Sequence, residues 1–529
     1  MNKVRIVIFF YLLVPCSYCN VQLNPLFSSG AVLQQGVDIP IWGTAREKEH
    51  ISIQLDGETV SCVALNGKWM ARLKPHKAGG PFVLTVKGEN TVVVENICIG
   101  EVWFCSGQSN MAFNLGAAAN AAEEVPTAHH PFLRMFTVPK KTAVQPMENA
   151  DGKWVECSPA TAAGFSAVAY YFGRDIHKST GVPVGLIHSS WAGSPAQAWT
   201  SLSGLKRDPA FGGYVATAEN LMATYPEAAA KYPQQLSDFE EKMRLWDEET
   251  GATYKKTIDA WNAENEKNKA EGRVLLPKPV PAVPAPKRPV PPEGNSSDPT
   301  TLFNAMVAPI MPYAIKGVIW YQGESNSSKA LEYRSLFPRL ISDWRQKWGQ
   351  GEFPFLFVQI APYREQPPEI RDAQLATLKK VSNTAMVVTT DSGDPANIHP
   401  PYKEPVGQRL ALAARALAYG ERIEFSGPLL KSAEFGSAQA ILRFDHIGSG
   451  LISKNGDLKG FSISGADKKF LPARAIIIDD AVLVSSEEVK MPVAVRYGWA
   501  NAPDVNLFNK EGLPASPFQT EVNDVFTDK

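Results

Sequence analysis

The chain has 529 residues, 44% hydrophobic and 20% charged, and its Lys+Arg 53 against Asp+Glu 54 leave a net charge of −1. That composition excludes global disorder, and near-neutral charge excludes the basic excess of an ordinary nucleic-acid binder. At ~150 residues per domain the length suggests three or four units, and 41 Pro against 39 Gly points to loops, edge strands and linkers.

At the N-terminus, Lys3 and Arg5 precede an apolar run from Ile6 to Val14. This is the layout of a secretory signal peptide, expected over residues 1–19. The run is shorter than the ~20 apolar residues that span a bilayer. Cys16 and Cys19 lack the small-residue pair that precedes a lipidated cysteine. No later segment approaches transmembrane length, so the mature chain is expected to be exported, periplasmic or secreted. The remaining cysteines, Cys62, Cys98, Cys105 and Cys157, are irregularly spaced and form no zinc-ligand pattern. They read as small buried residues, with one disulfide compatible with an exported chain.

Residues 20–99 read as an all-β domain. Ile51-Ser52-Ile53-Gln54-Leu55 alternates as a half-buried strand does, and Asp56-Gly57 and Asn66-Gly67 are hairpin signals. From residue 100 to 422 apolar strand-like runs alternate with helical stretches. The runs are Glu101 to Cys105, Val184 to His188, Gly317 to Tyr321, Phe355 to Ile360 and Ala385 to Thr390. The helices include Phe165 to Lys178, Leu331 to Trp348 and Val406 to Ala418. This predicts an α/β domain with a parallel sheet covered on both faces. On the helix before Trp348, Arg345 and Lys347 read as a solvated face.

An insertion over about residues 223–296 interrupts that domain. Its first part is rich in Glu, Lys and Ala, as amphipathic helices are. Then eight prolines, from Pro277 to Pro292, fall within sixteen residues. Such a stretch forms neither helix nor central strand and reads as an extended polyproline spacer. Residues 423–529 return to a β pattern with Gly-rich turns.

Four strand ends carry polar groups. Gly100 to Phe104 runs into Cys105-Ser106-Gly107-Gln108-Ser109-Asn110-Met111; Gly185 to Ile187 runs into His188-Ser189-Ser190-Trp191-Ala192-Gly193-Ser194. Val318 to Tyr321 leads to Gln322-Gly323-Glu324-Ser325-Asn326, and Thr389-Thr390 to Asp391-Ser392-Gly393-Asp394-Pro395-Ala396-Asn397-Ile398-His399-Pro400. A parallel sheet binds ligands at its carboxyl edge, and these blocks should share that edge. A serine hydroxyl, N–H donors for an oxyanion, and a histidine near carboxylates are the parts of acyl transfer. A serine in a glycine-containing turn is otherwise a helix cap, and the Gly-x-Ser-x-Gly elbow of ordinary α/β-hydrolases is absent. His188 competes with His399 as the base, but Pro395 and Pro400 bracket a loop, where functional residues concentrate.

These blocks resemble the SGNH-type (GDSL-like) hydrolases, specifically the sialate O-acetylesterase family. The likeness extends to Val21-Gln22-Leu23-Asn24-Pro25-Leu26-Phe27, Phe165 to Gly173 and Leu302-Phe303-Asn304-Ala305-Met306. It implies a flavodoxin-like parallel core flanked by β domains, and removal of acetyl esters from sugars, 9-O-acetyl sialic acids foremost. Carried over by position, Ser109 is the nucleophile and His399 the general base. The oxyanion hole is formed by the N–H groups of Ser109 and Gly193 and the side chain of Gln322, where the superfamily usually has Asn. The superfamily often places Asp three residues before the histidine; here that residue is Ala396, and Asn397 follows where the family tends to have Asp. The acid orienting His399 is therefore open among Asp394, Asp391 and Glu324, with a Ser–His dyad as the alternative. The family chemistry needs no metal or organic cofactor. Trp103, Trp191, Trp199 and Trp320 are aromatic platforms for a sugar or core residues, and Arg364 and Arg371 are candidates for a sugar carboxylate. Two rival readings stand beside this one: an acetyl-xylan or other polysaccharide acetylesterase, and an inactive carbohydrate-binding surface protein.

Overall fold

The computed structural model describes residues 20–521, so the expected signal segment at 1–19 lies outside the described residues. Residues 20–141, 147–196 and 306–521 form one compact unit; residues 142–146 with 197–305 form a second.

The first unit is a mixed α/β structure built on one large sheet, with several smaller all-β sheets. Its core strands are β1 (Thr91–Gly107), β2 (His130–Thr137), β3 (Trp154–Cys157), β4 (Val184–Ser190), β5 (Gly317–Tyr321), β6 (Phe355–Val358) and β7 (Thr384–Val387). They lie in the order β3-β2-β4-β1-β5-β6-β7, all parallel except the edge strand β3. Every residue of β4, β5 and β6 is buried, as a sheet covered on both faces requires. Consecutive side chains of β1 show the two layers. Trp103 meets Phe172 of helix α2 (Ala167–Thr180) edge-on, with ring centroids at 4.9 Å. Phe104 points the other way, to Trp344 of helix α3 (Ala330–Trp348) at 5.5 Å. This opposition is the period of two of a strand. Helix α4 (Pro368–Lys380) packs beside α3, and α5 (Glu404–Leu417) beside α2.

The boundary expected near residue 99 falls inside β1. The first part of this 17-residue strand pairs antiparallel with Gly79–Lys87, and Glu101 to Gly107 pair parallel with Val184 to Ser190. One strand therefore belongs to the N-terminal β-region and to the parallel core. Burial passes from alternation to every residue at Ile97, within this strand and not at a linker.

The His50–Leu55 and Glu58–Val63 strands pair antiparallel across the Asp56-Gly57 turn, where both residues have positive φ, 46° and 79°. After α5 the chain forms two four-stranded antiparallel sheets and a two-stranded one. The four cysteines among the described residues are free, and three of them are buried. Arg345 corrects the reading of a solvated face. It is 3% exposed and donates to the carbonyls of Phe353, Ser382 and Asn383, because the last turn of α3 lies over the loops that close β6 and β7.

The second unit contains two long helices, Gly212–Trp246 and Ala252–Ala270, joined through a π-helical turn. Residues 273–290 form neither helix nor strand. Their carbonyls are met by helix aromatics: Trp246 Nε1 on Val283 O (2.7 Å), Tyr254 hydroxyl on Pro279 O (3.1 Å) and Trp261 Nε1 on Leu276 O (3.0 Å). Prolines leave carbonyls without a local donor, and these side chains supply one.

Candidate active site

From the central strand β1 the chain builds β2 and β4 on one side and β5 to β7 on the other. The carboxyl ends of β4, β1 and β5 therefore flank a topological switch point, where open α/β sheets bind ligands.

Gly107 ends β1 with φ +142°, and a Cβ there would lie 2.1 Å from the carbonyl oxygen of Tyr321. Only glycine lets the two strand ends approach so closely. Gln108 N–H then donates to that same oxygen at 2.9 Å, and Ser109 opens a short helix, α1 (Ser109–Ala112). The Gln108 side chain is buried, and its Oε1 accepts from the N–H groups of Gly323 (3.4 Å) and Ser325 (3.2 Å). The turn that carries Ser109 is thus fastened to the β5 loop by main chain and side chain.

Ser109 Oγ lies 2.8 Å from His399 Nε2, both residues half-buried. Burial, and after it the charge of Lys403, hold the His399 imidazole below its ordinary value. It is therefore neutral at neutral pH, the form that accepts a proton. His399 N–H donates to Asn397 Oδ1 at 2.9 Å, and the Ile398 carbonyl accepts from Asn110 Nδ2 at 3.0 Å.

The loop after β4 reaches the same edge. Trp191 N–H donates to Gly107 O at 3.1 Å, and Gly193 adopts φ +72° where no atom would crowd a Cβ, so its glycine serves backbone conformation alone. Among the described residues no acceptor meets the N–H of Ser109 or of Gly193. Gln322 differs. It is fully buried, gives its amide hydrogens to Asn326 Oδ1 (2.7 Å) and Ser194 O (3.4 Å), and accepts from the Tyr333 hydroxyl (3.0 Å).

The structure brings none of the three candidate acids onto the His399 ring. Asp391 forms a two-pronged ion pair with Arg409, at 2.7 and 2.6 Å. Asp394 Oδ1 accepts from Ala396 N–H at 2.8 Å and so stabilises its own turn. Glu324 lies beneath the site, its Oε1 accepting from Asn110 Nδ2 at 2.6 Å. Burial pushes its carboxyl upward despite that donor and Lys403 nearby. His188 is buried with its Nε2 at 2.6 Å from Ser190 Oγ, and burial, then Lys140, pull it down to about 4.

Trp103 and Trp320 have no exposed surface and are core residues; Trp191 is half-buried. Arg371 has none either: its guanidinium is spent on the carbonyls of Ala500 and Asn501. Arg364 is exposed, with its N–H on Pro395 O at 3.2 Å.

Two residues that sequence reasoning missed stand behind Ser109. Asn110 is fully buried, and Lys403, 1% exposed, donates from Nζ to Asn110 Oδ1 at 2.6 Å. The Lys403 ammonium also faces the rings of Phe113 (4.9 Å) and Tyr321 (5.5 Å). The signal for Asn110 was its position next to Ser109; nothing local distinguishes Lys403.

Residues 295–416 match the family model described as carbohydrate esterase, sialic acid-specific acetylesterase. The chain is 30% identical to a sialate O-acetylesterase of Rattus norvegicus, with 91% of each chain covered. It is 31% identical to one of Mus musculus, covering 86% of this chain and 84% of that one. Among solved structures, a carbohydrate acetylesterase from Xanthomonas citri superposes with a TM-score of 0.77 at 34% identity, over 95% of this chain and 100% of that chain.

Proposed function

The chain belongs to the sialate O-acetylesterase family of carboxylic ester hydrolases, and from that premise we propose that it removes acetyl groups from O-acetylated sialic acids, the 9-O-acetyl esters foremost, with Ser109 as nucleophile and His399 as base. The observation that carries this reading is the 2.8 Å approach of Ser109 Oγ to a neutral His399 Nε2 at the switch point of the sheet.

The chemistry follows from the geometry. His399 Nε2 takes the Ser109 proton as Oγ attacks the acetyl carbonyl. The negative oxygen is held by the N–H groups of Ser109 and Gly193, each donor contributing about 3 kcal/mol to the barrier. Gln322 joins them as a third donor when its amide turns from Ser194 O, the longer of its two contacts. The sugar hydroxyl leaves with the proton from His399, and water, activated by the same imidazole, hydrolyses the acetyl-enzyme. With Asp391, Asp394 and Glu324 all engaged elsewhere, the site works as a Ser–His dyad on a loop fixed through its main chain. The same reading gives an SGNH-type core flanked by N- and C-terminal β-domains, in a chain exported to the periplasm or beyond the cell.

A second reading, a broader acetylesterase acting on polysaccharides such as acetyl-xylan, is favoured by the likeness to the carbohydrate acetylesterase from Xanthomonas citri. Acetate release from O-acetylated sialic acid and from acetyl-xylan, measured side by side, separates the two. Ser109→Ala should abolish hydrolysis of an aryl acetate and labelling by an organophosphonate, with the melting temperature unchanged; activity persisting in that folded variant removes the mechanism.

A further inference from the structure

A histidine base without a carboxylate on its ring needs another means of orientation. Here the means is the peptide that precedes it. Asn110, adjacent to Ser109, donates to the carbonyl of Ile398, adjacent to His399. One buried side chain thus ties the nucleophile to the base.

A side-chain amide can be seated either way round, with its oxygen and nitrogen exchanged. The orientation of Asn110 is set by three neighbours. Glu324 Oε1 (2.6 Å) and Ile398 O (3.0 Å) both need a donor, while Lys403 Nζ (2.6 Å) has only hydrogens to offer and needs an acceptor. Exchanging the two ends would set Oδ1 against two oxygens and the amide hydrogens against an ammonium.

Burial disfavours that ammonium and pulls Lys403 down to about 7, with Glu324 the charge that opposes the fall. The partners present are one amide oxygen, two aromatic faces and, across Asn110, the Glu324 carboxylate. Balancing Glu324 alone would not require Lys403 to hydrogen-bond the residue next to the nucleophile.

We propose that Lys403 is a positioning residue for ester hydrolysis: by holding Asn110 Oδ1 it fixes the amide that carries the Ile398 carbonyl, and so sets His399 against Ser109. Lys403 touches no reacting atom. The inference rests on the assignment of Ser109 and His399 given above. Electrostatics agree with it. Next to burial, Lys403 is the group that holds His399 below its ordinary value, and Glu324 is the charge facing Lys403. The other acids of the His399 loop are occupied, Asp391 by Arg409 and Asp394 by its own turn.

The test uses the full chain, an aryl acetate, and two variants, Lys403→Met and Lys403→Met/Glu324→Gln. Lys403→Met should lower kcat roughly 10- to 100-fold, the scale of an ångström-level misplacement, with KM little changed. It should also move the acid limb of kcat/KM to higher pH, because the cation beside His399 is gone. The double variant removes both buried charges, so it should melt no lower than the single variant and keep the low kcat. Recovery of kcat in the double variant would reduce Lys403 to a counter-charge for Glu324 and overturn the proposal. Full kcat with an unmoved acid limb in Lys403→Met would do the same. If the single variant does not fold, the double variant decides. Ser109→Ala separates the layers: activity persisting there overturns the underlying assignment, whereas an inert Ser109→Ala beside a fully active Lys403→Met overturns only the role of Lys403.

Discussion

Gly107 is where the fold and the chemistry meet most closely, and Gly107→Ala tests that meeting. A Cβ at this position would lie 2.1 Å from Tyr321 O, 2.7 Å from Tyr321 C and 2.9 Å from Tyr321 N, all main-chain atoms of a buried strand end that cannot rotate away. Ordinary contact begins at 3.4 Å, so the turn and β5 must part by 3.4 − 2.1 = 1.3 Å. That parting breaks the bond from Gln108 N–H to Tyr321 O and displaces Ser109 from His399, while β5 carries Gln322 in the opposite sense. A misplacement of about 1 Å lowers a rate by roughly 100-fold, or ~2.7 kcal/mol of transition-state stabilisation. Backbone strain at φ +142° adds roughly 1–3 kcal/mol of lost stability. Steady-state hydrolysis of an aryl acetate, read beside a thermal melt, measures both. The control is Gly181→Ala, at the exposed C-terminus of α2, with φ +70° and no atom within 4 Å. It should lower stability by ~1 kcal/mol and leave kcat alone. A folded Gly107→Ala enzyme with kcat near that of the Gly181→Ala control would refute the argument that this close approach positions Ser109 for the proposed reaction.

Two further predictions concern the ionisable groups around the site. Asp394→Asn should retain activity to within about tenfold, because Asp394 accepts from Ala396 N–H and does not touch the imidazole; a loss approaching 10⁴-fold, the scale of a missing triad acid, would place its carboxylate on His399 during turnover. Burial lowers His188 from the ordinary 6.5 to about 4, so between those pH values the unfolded chain binds the extra proton and stability falls as the pH falls. The fall from 6.5 to about 4 corresponds to about 3 kcal/mol. His188→Gln should flatten that acid limb of the stability curve, and an unchanged acid-unfolding midpoint would show that His188 is not the group responsible.

Much of the molecule was legible before any fold was considered, and for local reasons. The alternation in Ile51 to Leu55 and the Asp56-Gly57 turn are encoded within a few residues, and the hairpin forms there. The apolar runs at Val184 and Gly317 are continuous because both faces of those strands are covered. Ser109 and His399 stood out through the resemblance of their sequence blocks to a family, since a serine in a glycine-containing turn is by itself a helix cap, and the fold places the two side chains 2.8 Å apart. The pattern changes near residue 99 because it reports burial, and burial changes along β1 while the strand itself continues. Arg345 was misread because helical periodicity shows which face is polar, not which loops will fold over that face.

The partners of buried polar groups belong to tertiary structure alone. Lys403 meets Asn110 across 293 residues of sequence, and Asn110 meets Glu324 across 214. No spacing rule links such positions, because their proximity depends on strand order and on how each loop leaves the sheet. The same holds for the open question of the acid. Asp391, Asp394 and Glu324 were all candidate carboxylates in sequence, Asp394 the favoured one. Packing gave one to Arg409, one to its own turn and one to the buried amide behind Ser109. The amino-acid types and their local order thus determined which chemistry this protein carries. Only the tertiary structure brought Asn110 and Glu324, distant in sequence, against Lys403 and the Ile398 carbonyl of the His399 loop.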